Sequence, residues 1–153
     1  MSNLILMVGL PGSGKTTVSL NEFPDFVRIS QDELGSKQKC LEKFIELLNA
    51  GKDIIIDRTN INKKQRADFI TIAQNYNYNI HCLFFYPYPE KCVDRIIERR
   101  NHPTITEALS VNKKRKIVYD FYNSLEHPSV EEGISLIVTV GDIDISNFVN
   151  TLQ

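Results

Sequence analysis

Short, continuous apolar runs alternate along this chain with longer stretches whose apolar positions recur three and four residues apart. Residues 4–8, 26–30, 53–57, 80–85 and 134–139 are the runs. Their length and β-branched content predict five buried strands. Between them, residues 38–50 carry Leu41, Phe44, Ile45, Leu47 and Leu48 at helical spacing, with Gly51 as a stop. Residues 63–76 (Phe69, Ile70, Ile72, Ala73), 89–100 (Val93, Ile96, Ile97) and 106–122 (Leu109, Val111, Ile117, Val118, Phe121) predict three more helices, and 143–152 a weak terminal one. Strands that alternate with helices predict an α/β fold, a three-layer α/β/α sandwich around a mostly parallel five-stranded sheet. No repeat or linker divides the 153 residues, so one domain over 1–153 is expected. The breaker Asn101-His102-Pro103-Thr104 between two helices marks a hinge for a helical lid at about 95–115.

The connection after the first strand carries the chemistry. Gly9-Leu10-Pro11-Gly12-Ser13-Gly14-Lys15-Thr16 matches G-x-x-x-x-G-K-[ST] without a gap, between a strand and a helix. Glycines let the backbone turn its N–H groups inward, and the helix that follows offers its positive end to phosphates. The expected nucleotide contacts are Gly9, Pro11, Gly12, Ser13, Gly14, Lys15, Thr16 and Thr17. Lys15 reaches the β- and γ-phosphates and the Thr16 hydroxyl ligates Mg²⁺. No N-K-x-D segment supports guanine, so ATP is the expected nucleotide.

Ligands of parallel sheets gather at the carboxyl ends of the strands. Asp32 follows the second strand and is the candidate base for a substrate hydroxyl, with Glu33 as rival; both also suit a helix cap. Asp57 ends the third strand and is the candidate partner of Mg²⁺, preferred to Asp53 at the strand's other end. Asn60 in the loop Arg58-Thr59-Asn60 suits either a substrate contact or a helix cap. Arg66, inside the next helix, has solvent exposure as its plain reading. Arg95 and Arg99, four apart on one helix face, make more sense facing phosphate than water, with Arg100 beside them.

Composition narrows the partners. The net charge is −1, lower than expected of a protein that coats long nucleic acids, yet compatible with gripping one end. The apolar start is too short for a leader or a membrane span, which predicts a cytoplasmic protein (nuclear if eukaryotic), not secreted and not membrane-bound. Cys40, Cys82 and Cys92 fit no metal or disulfide pattern and read as reduced core thiols.

With these pieces in order, the chain resembles the kinase domain of polynucleotide 5′-hydroxyl kinases, above all the kinase half of the polynucleotide kinase 3′-phosphatases, from Leu4 to about Val138. Three stretches carry the resemblance beyond the phosphate loop: Asp32-Glu33-Leu34-Gly35 with Cys40, of the form D-x-L-G-x-x-x-x-C; Asp57-Arg58-Thr59-Asn60, of the form D-x-T-N, with Arg66 downstream; and Pro128 to Gly133, of the form P-x-x-x-E-G. The resemblance implies that Asp32 takes the proton from a 5′-hydroxyl end of DNA or RNA, that Lys15 and Thr16 serve ATP and Mg²⁺, and that Arg99 is a catalytic lid arginine. It further implies that Asn60, Arg66 and Arg100 line the substrate pocket. Gln31 replaces an arginine common before the aspartate, and the basic run Lys113 to Lys116 is a candidate substitute, with a solvated helix face as the bland reading. A chain ending at Gln153 is expected to hold no phosphatase of its own, so a separate phosphatase or ligase is an expected partner. Two other readings stay open: a kinase of a small alcohol, nucleoside or tRNA-linked group, and a non-kinase, either a nucleotide-gated binding module or a toxin-like one.

Overall fold

The structure is a computed structural model and describes residues 1–99, 105, 108–141 and 145–152. All five predicted strands form: β1 (Asn3–Val8), β2 (Val27–Ser30), β3 (Ile54–Asp57), β4 (Asn79–Phe85) and β5 (Leu136–Val140). They make one sheet in the order β2-β3-β1-β4-β5, and every pairing is parallel rather than mostly so. Helices α1 (Lys15–Glu22), α2 (Gln31–Leu34), α3 (Lys37–Asn49), α4 (Lys63–Gln74), α5 (Pro89–Glu98), α6 (Val111–Ser124) and α7 (Ser146–Thr151) alternate with the strands, with a single 3₁₀ turn at Val130–Glu132.

The period-two alternation of β1 explains the three layers. Leu4, Leu6 and Val8 pack on one face with Phe44 and Leu48 of α3 and Phe69, Ile70 and Ala73 of α4. Ile5 and Met7 pack on the other with Val18 of α1 and Phe148 and Val149 of α7. β1 is buried on both faces, which is why its sequence is continuously apolar. Helices α5 and α6, which flank and partly overlap the segment expected to form a lid at about 95–115, pack on the body through Leu10 and Ile61. Helix α6 starts later than the periodicity predicts, because the Ser110 hydroxyl accepts from Lys113 N and sets the N-terminus there. The hinge residues 101–104, Arg100 and the predicted helix start at 106–107 lie outside the described residues. Among the described residues, no helix is long and apolar enough to cross a membrane.

The carboxyl ends of β1, β2 and β3 deliver the phosphate loop, α2 and the Asp57–Asn60 loop to one edge of the sheet. Ser30 pairs with Asp57 at that edge. Asp53 lies at the opposite edge, where its Oδ1 accepts from Asn3 N at 2.7 Å.

Candidate functional site

The phosphate loop leaves β1 at Gly9, whose N–H donates to Thr59 O at 3.1 Å. Gly12 has φ +80°, and a Cβ there would stand 2.7 Å from Cys92 O and 2.9 Å from Ile96 Cγ1. Both the left-handed backbone and the close approach of α5 therefore demand glycine. The Lys15 ammonium donates to Gly9 O (3.1 Å), Leu10 O (2.7 Å) and Ser13 Oγ (3.3 Å). Burial pulls its pKa down to about 8, and Asp57 offsets part of that fall.

Next along α1, the Thr16 hydroxyl donates to Asp57 Oδ2 at 2.8 Å. The two expected metal ligands thus face each other across the β1–β3 junction. Sequence reasoning passed over Arg28, which joins them: its Nε donates to the same Oδ2 at 2.8 Å, and its Nη1 donates to Glu33 Oε1 at 2.6 Å. Burial opposes the charge on Arg28, but the bonds to Glu33 and Asp57 outweigh it and raise its pKa. The signal was a lone cation inside an otherwise apolar strand.

The D-x-L-G stretch is a one-turn helix, α2, ended by Gly35 at φ +92°. Leu34 packs against the core, and Ser36 then caps α3 by accepting from Lys39 N. The turn thereby holds Asp32 at the sheet edge. A cavity of about 370 Å³ is lined by Gly12, Lys15, Thr16, Thr17, Asp57, Arg99 and Asp32, with Ile105, Ile117 and Phe121 as apolar wall residues. A neighbouring cavity of about 330 Å³ has Gln31, Gln65 and Gly35 in its wall. The two share Asp32, Asp57, Arg58, Thr59 and Phe121. Asp32 and Lys15 therefore open into a single cleft.

Arg99 lines the first cavity. Burial lowers its pKa, while the nearby Asp32 and Asp57 act in the opposite direction. Arg95 does not share that face. Helix α5 ends at Glu98, Arg99 takes an extended conformation, and Arg95 donates from Nη1 to Gly12 O at 3.3 Å on the other side of the loop. There, a small cavity of about 60 Å³ is bounded by Ser13, Tyr86, Tyr88, Lys91 and Val140.

Two residues expected at the substrate pocket lie elsewhere in the described structure. Asn60 and Arg66 are fully buried and line neither cavity. Asn60 Nδ2 donates to Met7 O at 2.7 Å, and the Asn60 carbonyl accepts from Arg66 Nη1 at 2.8 Å. Arg66 is also bidentate on Glu132, from Nε at 2.8 Å and Nη2 at 3.2 Å. The cap of α4 is Asn62, not Asn60. These bonds brace the loop after β3. The same bonds explain P-x-x-x-E-G: Glu132 holds Arg66 and caps Ser129 N, and Gly133 has φ +103° with Gln74 Nε2 only 2.4 Å from where a Cβ would sit. The cleft positions expected of Asn60 and Arg66 belong to Arg58 and Gln65. Arg58 is half-buried, with its guanidinium carbon 5.6 Å from the Phe69 ring centroid, and its Nη1 has no hydrogen bond among the described residues.

The basic run on α6 is largely committed elsewhere. Arg115 donates to Glu90, Lys116 to Asp120, and Lys114 is buried. Cys40, Cys82 and Cys92 are free and buried, with Cys82 pushed up to about 12 by burial. Arg100 lies outside the described residues.

Comparison with known proteins agrees with the fold. A family model described as an AAA domain matches residues 4–117. The chain is 30% identical to the Arabidopsis thaliana protein named transcription factor bHLH140, covering 96% of this chain and 17% of that protein. It is 29% identical to the bifunctional polynucleotide phosphatase/kinase of Schizosaccharomyces pombe, covering 90% of this chain and 33% of that protein. It thus spans a third or less of these curated relatives. Among solved structures, Chaetomium thermophilum Kti12 in complex with ADP-AlF3 superposes with a TM-score of 0.68 at 20% identity, over 97% of this chain and 94% of that one.

Proposed function

We propose, on the premise that the chain belongs to the AAA domain family and has the fold of a P-loop kinase, that it transfers the γ-phosphoryl group of ATP to the 5′-hydroxyl end of a DNA or RNA strand. The observation that carries this reading is the position of Asp32. Its carboxylate lines both the cavity that holds Lys15 and Thr16 and the neighbouring cavity walled by Arg58, Gln65 and Phe121. A carboxylate on that boundary suits a base that must meet an acceptor oxygen on one side and a phosphorus on the other.

In this reading the amides of Gly12 and of Gly14 to Thr17, together with the Lys15 ammonium, take the β- and γ-phosphates. A hydroxyl and a carboxylate in contact, Thr16 and Asp57, form a hard-oxygen donor pair of the kind Mg²⁺ uses alongside phosphate oxygens and water. When bound there, Mg²⁺ neutralises charge on the phosphates. Asp32 accepts the proton of the 5′-hydroxyl as its oxygen bonds to the γ-phosphorus and the bond to ADP breaks. Arg99 faces the charge that develops on the transferred group. Phe121 offers a ring, and Arg58 a cation, to the terminal nucleotide.

The name of the fission yeast relative supports the polynucleotide acceptor, and a separate phosphatase or ligase is the companion this reading expects. The test is transfer of label from γ-labelled ATP to 5′-hydroxyl oligonucleotides of DNA and RNA, beside gluconate and free nucleosides. Label on an oligonucleotide end is expected. Label on a small alcohol alone would replace this acceptor with the second reading. No transfer to any acceptor, with ATP still bound, would leave a binding module.

A further inference from the structure

The guanidinium of Arg28 joins two carboxylates of unlike surroundings. Asp57 is buried, with a side chain 5% exposed, whereas the Glu33 side chain is 62% exposed. Arg28 Nε and Nη2 each lie 2.8 Å from Asp57 Oδ2, the oxygen that also accepts from Thr16. Nη2 lies 3.5 Å from Thr16 Oγ1 itself, and Nη1 reaches Glu33 at 2.6 Å. A side chain on β2 thus places a positive charge against both oxygens that the proposed reaction needs for Mg²⁺.

We infer that Arg28 is a positioning residue that sets how tightly the site takes a divalent cation. It holds Asp57 against Thr16 as an internal counter-charge, and it is handed over to Glu33 alone when the cation enters. A divalent ion on Thr16 Oγ1 would stand beside the guanidinium, and like charges at such range repel strongly where water is partly excluded. Arg28 must therefore retreat for the ion to settle. Glu33 gives it somewhere to retreat to, because Nη1 is already bonded there and that carboxylate faces water. Glu33 neighbours Asp32 on the one-turn helix α2, so the exchange takes place beside the candidate base.

This inference rests on the proposed metal position but not on the identity of the acceptor. The measurement is Mn²⁺ binding to the full chain in the presence of ADP, followed by the paramagnetic resonance of free Mn²⁺. Arg28→Gln removes the charge and keeps a polar side chain, and is expected to bind Mn²⁺ about tenfold more tightly. Glu33→Gln removes the exposed negative charge, leaves Asp57 as the one carboxylate bonded to Arg28, and is expected to bind Mn²⁺ about threefold more weakly. Arg28→Lys restores the charge and is expected to return the affinity toward that of the parent chain. A merely structural role for Arg28 would lower the melting temperature without these opposite shifts.

Unchanged or weaker Mn²⁺ binding in Arg28→Gln overturns the inference, as does a Lys variant that binds as tightly as the Gln variant. Unchanged or tighter binding in Glu33→Gln overturns the handover. Should Arg28→Gln fail to fold, the exposed Glu33 variant and the Lys variant still decide the outcome. A parent chain that binds neither ADP nor Mn²⁺ would sink the kinase reading along with this one.

Discussion

The cleft has two halves built by different means. The phosphate half is made of one contiguous segment: a strand end, a glycine turn pressed on α5, and the first turn of α1. The acceptor half is made of single side chains from distant segments: Asp32 of α2, Arg58 after β3, Gln65 of α4 and Phe121 of α6. The first recognises phosphate through backbone and one lysine, so its chemistry is spelled out by eight consecutive residues. In the proposed reading the second recognises whatever fits between four elements, so its specificity would follow from packing. The donor side of this chain is thus generic and its acceptor side individual.

The sharpest break between the halves is expected from Asp32→Asn. It removes the proton acceptor without touching the loop. Phosphoryl transfer should fall about 10²–10⁴-fold while ADP binding, followed by fluorescence or calorimetry, stays within twofold. Retained transfer would remove Asp32 from its role as base.

Next in size is Arg66→Ala, which tests whether Arg66 braces the fold or serves the acceptor. Removing the buried partner of Glu132 should cost about 3–5 kcal/mol of stability in a denaturant titration. Any folded fraction should keep its KM for the acceptor. A stable protein with a weakened acceptor KM would return Arg66 to the substrate pocket.

Arg58→Ala sharpens the comparison from the other side. A cation on the acceptor wall is worth about 1.5–3 kcal/mol to a phosphate-bearing substrate. KM for an oligonucleotide should rise at least tenfold, with KM for ATP unchanged. An equal rise in both would mean that Arg58 serves the donor.

The smallest effect is expected from pH on the donor side. Lys15 has a pKa lowered to about 8 in the free protein, and only its charged form attracts phosphate. Raising pH through about 8 removes that charge, so kcat/KM for ATP should decline above it. kcat itself should hold to higher pH, because bound ATP favours the ammonium form. A kcat/KM flat to pH 10 would contradict the depressed lysine.

Much of this was legible in the sequence for local reasons. Residues 54–56, three isoleucines between aspartates, can scarcely be anything but a buried parallel strand, and Asp57 follows at the edge where ligands gather. Asp32 was legible because a strand end and a glycine terminator bracket it. The burial of Asn60 and Arg66 was not legible, because polar residues close to a strand's carboxyl end read as exposed to the cleft. Their hydrogen-bond partners, Met7 O and Glu132, lie 53 and 66 residues away, and only the assembled chain shows those bonds. Arg95 and Arg99 misled for a related reason: i, i+4 spacing places two residues on one face only while the helix continues, and α5 stops at Glu98.

By itself, then, the order of residues determined the alternating layers, the parallel sheet and the phosphate loop, since each depends on periodicity or on contacts within a few residues. Tertiary structure decided which polar side chains look into the cleft and which are spent on bracing it. It also decided that Arg28 would stand between Asp57 and Glu33. The direction and partners of a buried cation are set by where other segments place their carboxylates and carbonyls, and separation along the chain carries no record of that.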